Sequence, residues 1–422
     1  MSASRSFVTG VGMTKFVKPQ SKNWDYPQIG KEACEAALRD SKIPYSSIQA
    51  VVASYCYGEP TCGQRVVYEL GLTGIPVFNV NNNCSSASTA LMLANLLVKS
   101  GYDCVLAVGF EKMEGGLSQR YPEKESPVGR HVNHLTKLGA ERGLVKPKLN
   151  KMTSDVIKMF AYAAREYEDR YKTYFTDWVE IAFKNRQHGK NNPYASVRKD
   201  VTRKTIADES KTLCHPITLG MSTPTADGGA AAVVCSEAFV RRRKLQNKAV
   251  EIIAQHMVTD LPSSFGDKFK DVVGYSMAKE AAEKCYTDTG LSARHLDILE
   301  VHDCFSCNEL FMYEALQLAE EGKGTELLHS GEWITNKAGG KLYKMDRWVV
   351  NPSGGLISKG HPIGATGLGQ CAELVWQLRG EAGKRQVDGA KIGMQHNFGI
   401  GGAAVVTMYA KPDFDQVISS KL

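Results

Sequence analysis

Apolar residues along the chain keep changing period. In Lys31-Glu-Ala-Cys-Glu-Ala-Ala-Leu they recur at helical spacing, which predicts an amphipathic helix; past Asp40 they run on as Ile48-Gln-Ala-Val-Val-Ala, which predicts a strand. The same pair returns 248 positions later as Lys279-Glu-Ala-Ala-Glu-Lys-Cys-Tyr, Asp288 and Leu296-Asp-Ile-Leu-Glu-Val. On that offset Cys56 is the counterpart of Cys304. Two apolar runs, Gly228-Gly-Ala-Ala-Ala-Val-Val and Gly401-Gly-Ala-Ala-Val-Val, close the copies alike. Matching starts and finishes predict a duplicated α/β unit, helices alternating with strands in each half.

The halves differ in one place. Lys391-Ile-Gly-Met-Gln is followed almost at once by the closing strand, whereas its counterpart Cys104-Val-Leu-Ala-Val-Gly is separated from it by roughly a hundred residues, far beyond ordinary loop lengths. The insertion predicts helices over Lys151 to Tyr171 and Thr176 to His188, and carries a basic run from Lys184 to Lys204. That run reads either as a solvated helical face or as a landing surface for a phosphate-rich ligand. The predicted division is 1–115, first half; 116–215, inserted loop domain; 216–247, last strands of the first half; 248–412, second half; and 413–422, tail.

Composition narrows the function classes. A 422-residue chain with 43% hydrophobic and 23% charged residues is long enough for more than one domain around a large core. A net charge of +7, with no arginine-rich arm, argues against nucleic acid and leaves room for a phosphorylated small molecule. No apolar run has the length of a membrane span, and the N-terminus lacks the apolar stretch of a signal peptide. Eleven cysteines without framework spacing predict reduced thiols. The final Ser420-Lys421-Leu422 is the address read by the peroxisomal import receptor, on a polar tail expected to be exposed from Pro412 onward.

Four segments carry candidate chemistry. Cys84 follows Pro76-Val-Phe-Asn-Val and an Asn81-Asn-Asn elbow and opens a helix to Lys99; free N–H groups and the helix dipole there are expected to lower its pKa and make it a nucleophile. The alternative is a small buried residue that packs the turn. His302 and Cys304 stand two residues apart at a strand end, where alternation predicts that both face one reacting group. Cys304 also begins a CxxC with Cys307, a spacing shared with redox pairs and half zinc sites. His361 lies in a segment with five glycines between Gly354 and Gly367, which lets backbone approach a ligand closely, although no nucleotide-binding glycine pattern is present. His396-Asn397-Phe398-Gly399 ends a strand at a glycine-rich turn, which reads as a tight hairpin or as N–H donors for a developing oxyanion. His131, His134, His188 and His329 lie in polar segments and read as surface residues.

Together Asn-Asn-Asn-Cys84-Ser-Ser86, His302-Asp-Cys304-Phe, Asn351-Pro-Ser-Gly-Gly with Gly360-His361-Pro, and His396-Asn-Phe-Gly399 resemble a thiolase, more narrowly the sterol carrier protein 2 type. The resemblance implies the five-layered thiolase fold of two βαβαβαββ halves with a loop domain in the first. It implies that Cys84 takes the acyl group, that His361 takes its proton or stabilises its thiolate, and that Cys304 is the acid/base cysteine. His302 and His361 would bind the enolate oxygen, and the N–H groups of Cys84 and Gly399 would form the second oxyanion hole, with Asn397 in support where other thiolases carry a cysteine. The implied substrates are a 3-oxoacyl-CoA and coenzyme A, the latter a substrate rather than a cofactor, with no metal; the implied assembly is a homodimer in the peroxisome. A Claisen-condensing acyltransferase of the same fold, a non-catalytic acyl-CoA or lipid carrier, and a CxxC redox or zinc protein are the alternatives.

Overall fold

The computed structural model describes residues 5–113, 124–143 and 154–414. Ser420-Lys421-Leu422 and the start of the helix expected from Lys151 lie outside the described residues.

The first half runs β1 (Ser6–Met13), α1 (Tyr26–Ser41), β2 (Ala50–Ser54), a short helix (Cys62–Val67), β3 (Val77–Val80), α2 (Ser86–Lys99) and β4 (Cys104–Glu111). The inserted segment follows, with its helices α3 (Asp155–Tyr171) and α4 (Phe175–Gly189), and β5 (Gly228–Ser236) then closes the half. The second half repeats the order: β6 (Val250–Val258), α5 (Tyr275–Thr289), β7 (Ile298–Glu300), α6 (Ser306–Ala315), β8 (Trp348–Val350), the short α7 (Gly355–Lys359), α8 (Thr366–Arg379), β9 (Ile392–Gly399) and β10 (Ala403–Ala410).

Local chemistry explains the boundaries. Asp25 caps α1 in a reciprocal box with Gln28, and Lys42 ends that helix in the left-handed region. β4 is buried throughout and β5 nearly so, as their unbroken runs of Ala and Val require of strands covered on both faces.

Strand order makes the duplication visible. Read across the sheet, β3-β2-β4-β5-β1 meets β6-β10-β9-β7-β8, each half a reflection of the other's sequence order; a hairpin, Glu332–Thr335 with Lys341–Met345, extends the far edge. The two half-sheets join through a seam of only two residue pairs, Phe7 with Glu251 and Val8 with Val250. α2 and α8 pack together between the half-sheets, while α1 covers the outer face of the first and α5 that of the second. The result is helix, sheet, helix, sheet, helix: five layers of the thiolase type. Small residues let the middle layer fit; Ser86, Ala87, Ser88, Ala90 and Ala94 of α2 are all buried.

Several side chains depart from their expected setting. The strand expected to reach Val301 stops at Glu300, so His302 and Cys304 owe their placement to a loop rather than to strand alternation. His131 and His188 are buried instead of on the surface: His131 pairs with Asp260 at 2.9 Å, and His188 bridges the Asn351 carbonyl and the Tyr343 N–H. The basic run is partly spoken for. Lys184 and Arg186 are buried, Lys184 is ion-paired with Glu309, Lys190 with Asp200 and Arg203 with Glu180, while Arg198, Lys199, Arg203 and Lys204 are exposed. The tail also begins later than Pro412 suggested, because Phe414 stacks on Phe7 with ring centres 5.1 Å apart.

Candidate active site

The Asn81–Asn83 elbow holds Cys84 at the mouth of α2. Asn81 Oδ1 accepts the Asn83 N–H at 3.0 Å, the Ser86 hydroxyl receives the Asn82 N–H at 2.9 Å and donates to the Asn83 carbonyl, and Asn83 takes a positive φ of 52°. Asn83 Nδ2 reaches across to the Ile400 carbonyl at 3.0 Å, tying the elbow to the turn after β9. Gly399 has no room for a side chain: a Cβ there would stand 2.1 Å from the Asn82 carbonyl oxygen.

The loop after β7 is fixed from the other side. Asp303, between His302 and Cys304, points away from them and accepts the N–H groups of Leu356 at 2.6 Å and Ile357 at 3.2 Å, capping α7. That cap explains two of the five glycines: Gly354 and Gly355 have φ of 93° and 59°, and a Cβ on Gly355 would meet Asp303 Oδ2 at 2.1 Å. Asn185 of α4 donates to Asp303 at 2.8 Å, so the inserted segment braces the loop. Asn351 Oδ1 accepts the Val301 N–H at 2.9 Å.

These supports bring three of the predicted residues together. The Cys84 sulfur, a ring nitrogen of His302 and one of His361 lie within 4.8 Å of each other, and the two imidazoles meet edge to face with centres 5.1 Å apart. Cys304 is not a member of that cluster but is close enough for Cys84 to perturb it. Among the described residues this is the one group with ligand-like spacing, and the CxxC has no part in it; Cys307 is a buried residue of α6.

Burial sets the protonation states. It pushes the Cys84 thiol up to about 12, against the pull of the Ile400 and Cys84 backbone N–H groups, so the thiolate expected from the helix terminus is not the resting form. Burial likewise raises the Cys304 thiol well above its usual range, with Cys307, Cys84 and Asp303 adding to it. It lowers His361 and His396 to about 3 each and His302 well below its ordinary value, leaving neutral rings. The Thr366 hydroxyl donates to the Pro362 carbonyl at 3.1 Å, so it accepts from His361 Nδ1 at 2.6 Å. His361 Nε2 therefore carries the lone pair, and it has no partner among the described residues. A neutral base thus stands beside a protonated thiol, ready to receive its proton when attack begins.

Sequence reasoning missed the second ring of residues. Thr366 orients His361, Ser88 and Gln395 support Asn397, and the N–H that reaches Cys84 comes from Ile400, one residue past Gly399. The spacings were available: Ser88 is four residues on from Cys84 along one helix face, and Gln395 and Asn397 share a face of β9. Glu111 was missed too. Its buried carboxylate, raised to about 7 chiefly by burial, accepts the N–H groups of Cys56, Tyr57 and Gly364.

Known proteins match the whole chain. The family described as "Thiolase, N-terminal domain" matches residues 6–215 and "Thiolase C-terminal domain-like" matches 264–410. Sterol carrier protein 2 of Oryctolagus cuniculus is 50% identical, over 99% of this chain and 73% of its own. Non-specific lipid-transfer protein-like 2 of Caenorhabditis elegans is 42% identical, over 96% and 95%. Among solved structures, human mitochondrial 3-ketoacyl-CoA thiolase superposes with a TM-score of 0.68 at 16% identity, covering 97% of this chain and 99% of its own. The Ltp2-ChsH2(DUF35) aldolase superposes with a TM-score of 0.75 at 18% identity, over 96% and 97%; likenesses this remote establish the shared fold and nothing of the reaction. The sequence relatives and the two family matches go further: this chain is an acyltransferase of the thiolase family, of the sterol carrier protein 2 type.

Proposed function

We propose that the chain is a peroxisomal 3-oxoacyl-CoA thiolase, cleaving its substrate with coenzyme A through an acyl-cysteine in fatty-acid or sterol side-chain β-oxidation. The observation that carries the reading is the cluster of half-buried Cys84 with the buried His302 and His361, whose Nε2 has no partner among the described residues. Cys84 attacks the 3-oxo carbon as its proton passes to His361 Nε2. The oxyanion is received by the N–H groups of Cys84 and of the Gly399–Ile400 turn. The C2–C3 bond then breaks, its electron pair passing into an acetyl-CoA or propionyl-CoA enolate. His302 and the now protonated His361 face the enolate oxygen, and Cys304 supplies the proton to carbon. The Cys304 thiolate next takes the proton of coenzyme A, whose sulfur attacks the acyl-Cys84; the shortened acyl-CoA is released as the Cys84 thiolate leaves and recovers its proton from His361.

Thiolysis of straight-chain, 2-methyl-branched and bile-acid-type 3-oxoacyl-CoA substrates tests this reading. Cys84→Ala should abolish turnover on all of them, whereas Cys304→Ala should still accept an acyl group and turn over far more slowly. Unchanged thiolysis in Cys84→Ala overturns the assignment. A Claisen-condensing role uses the same residues; an equilibrium assay run in both directions with the purified chain separates the two.

The homodimer and the address belong to the same proposal. Among the described residues β3 is a sheet edge, and Phe78 on it and Tyr68 and Leu72 in the segment leading to it are exposed apolar side chains that support pairing with a second copy. Ser420-Lys421-Leu422 is the proposed signal, so its deletion should leave a fluorescent fusion outside peroxisomes.

A further inference from the structure

Next to the reacting groups lies a chain of hydrogen bonds whose direction is fixed at one end. Gln395 Nε2 donates to the Gly367 carbonyl at 2.8 Å, and a carbonyl only accepts. The Gln395 amide is therefore oriented, with its oxygen receiving the Tyr409 hydroxyl at 2.6 Å, and Nε2 also donates to Ser88 Oγ at 2.8 Å. Ser88 in turn donates its single hydroxyl hydrogen to Asn397 Oδ1 at 2.8 Å. Asn397 then has its Nδ2 turned toward His302 Nδ1, 3.0 Å away. An amide nitrogen donates, so Nδ1 accepts, and neutral His302 must hold its proton on Nε2. Every member of this relay from Ser88 to His302 is buried.

We propose that Asn397, oriented by Ser88 and Gln395, is a positioning residue that locks His302 as an Nε2–H donor, so that the Cys84–His302–His361 cluster serves an oxyanion and refuses a thiophilic metal ion. The inference deepens the thiolase reading and rests on it for the role of the donor. Its second half follows from coordination chemistry. One cysteine and two histidines at this spacing are the protein ligands of a three-ligand zinc site with one position open. A histidine that ligates through one nitrogen donates its other N–H to a carbonyl, carboxylate or water. Here that partner is itself a donor. Ligation through His302 Nε2 would set N–H against N–H in a sealed interior, and the amide cannot rotate away without stranding the Ser88 hydroxyl.

Asn397→Asp reverses the partner at constant size and is the decisive variant. Selective 15N-histidine NMR, with the His302 signals assigned by their loss in His302→Asn, should show a protonated Nε2 in the parent and a protonated Nδ1 in Asn397→Asp. Equilibrium dialysis against zinc alone should load about one ion per chain on Asn397→Asp and none on the parent at the same free concentration, and adding Cys84→Ala to the variant should remove it. Thiolysis by Asn397→Asp without zinc should fall about 10²-fold in kcat with little change in KM, as for the loss of one oxyanion donor. Ser88→Ala, which frees the amide without adding charge, should give a mixture of the two tautomers. A parent with Nδ1 protonated, or one that binds zinc as tightly as the variant, overturns the proposal. The NMR and zinc measurements need no turnover, so they can fail while the thiolase reading stands, and thiolysis can fail while the lock stands.

Discussion

Cys84 and His361 start from neutral forms that burial holds far apart on the pH scale, near 12 and near 3. Neither group is charged at neutral pH, so in the proposed reaction the thiolate forms only as the proton moves during attack. What keeps the partners in line is close packing, and Gly367 shows how close. A Cβ there would meet Ser88 Oγ at 2.1 Å, Asn397 Oδ1 at 2.6 Å and the Ser88 backbone nitrogen at 2.6 Å. Gly367→Ala should lower kcat about as strongly as Asn397→Asp and destabilise the chain by about 1–3 kcal/mol, the usual cost of overpacking a filled interior. Two residues further along the same helix, a Cβ at Gly369 would find nothing nearer than the Phe16 ring tip at 3.2 Å. Gly369→Ala should therefore retain most of its activity, and the pair of variants assayed for thiolysis and thermal unfolding separates the relay from a general intolerance of α8.

Elements made themselves known in the sequence to different degrees. The helix before β2 and the helix before β7 were legible because each carries its own period, and the repeat confirmed one from the other. Cys84, His302 and His361 were legible only as members of four motifs taken together, since each stretch alone also reads as a packed turn or cap. Burial of charge was not legible. Lys184 lies in a run of basic residues, yet its partner Glu309 is 125 positions away on α6, and local pattern holds nothing of such a pairing. His188 was lost for the same reason, its two partners coming from the second half. The proposed assembly is also tested at this scale. β3 offers a free edge directly before the Asn81–Asn83 elbow, with Phe78 42% exposed. Phe78→Arg should shift the chain to monomer in analytical ultracentrifugation and reduce thiolysis, because the elbow loses the strand that anchors it; a variant that stays dimeric excludes β3 as the interface.

At the scale of the molecule, acid sensitivity follows from buried imidazoles, His302 among them. His188, His361 and His396 are each lowered from 6.5 to about 3, chiefly by burial. In the unfolded chain they take up protons below about 6.5, and in the fold only near 3. Stability from each is thus fully present above 6.5 and lost as pH falls toward 3. His188→Gln keeps a donor for the Asn351 carbonyl and an acceptor for the Tyr343 N–H but does not titrate. Between those limits its unfolding free energy by urea titration should vary less steeply with pH than the parent's, by up to about 1.4 kcal/mol per pH unit. A slope equal to the parent's would remove His188 from the account.

The two-pair seam between the half-sheets has a mechanical consequence. Cys84 comes from one half and His302, His361 and Ile400 from the other, so the residues of the proposed site straddle the boundary at which the two half-sheets share only two residue pairs. A slip of one half past the other by a fraction of an ångström leaves every strand ladder intact and spoils the alignment of thiol and imidazole. Activity should then behave as a strain gauge for that boundary: in rising urea, thiolysis should fail at a lower concentration than the far-ultraviolet circular dichroism signal, and coincident midpoints would mean that the halves move as one.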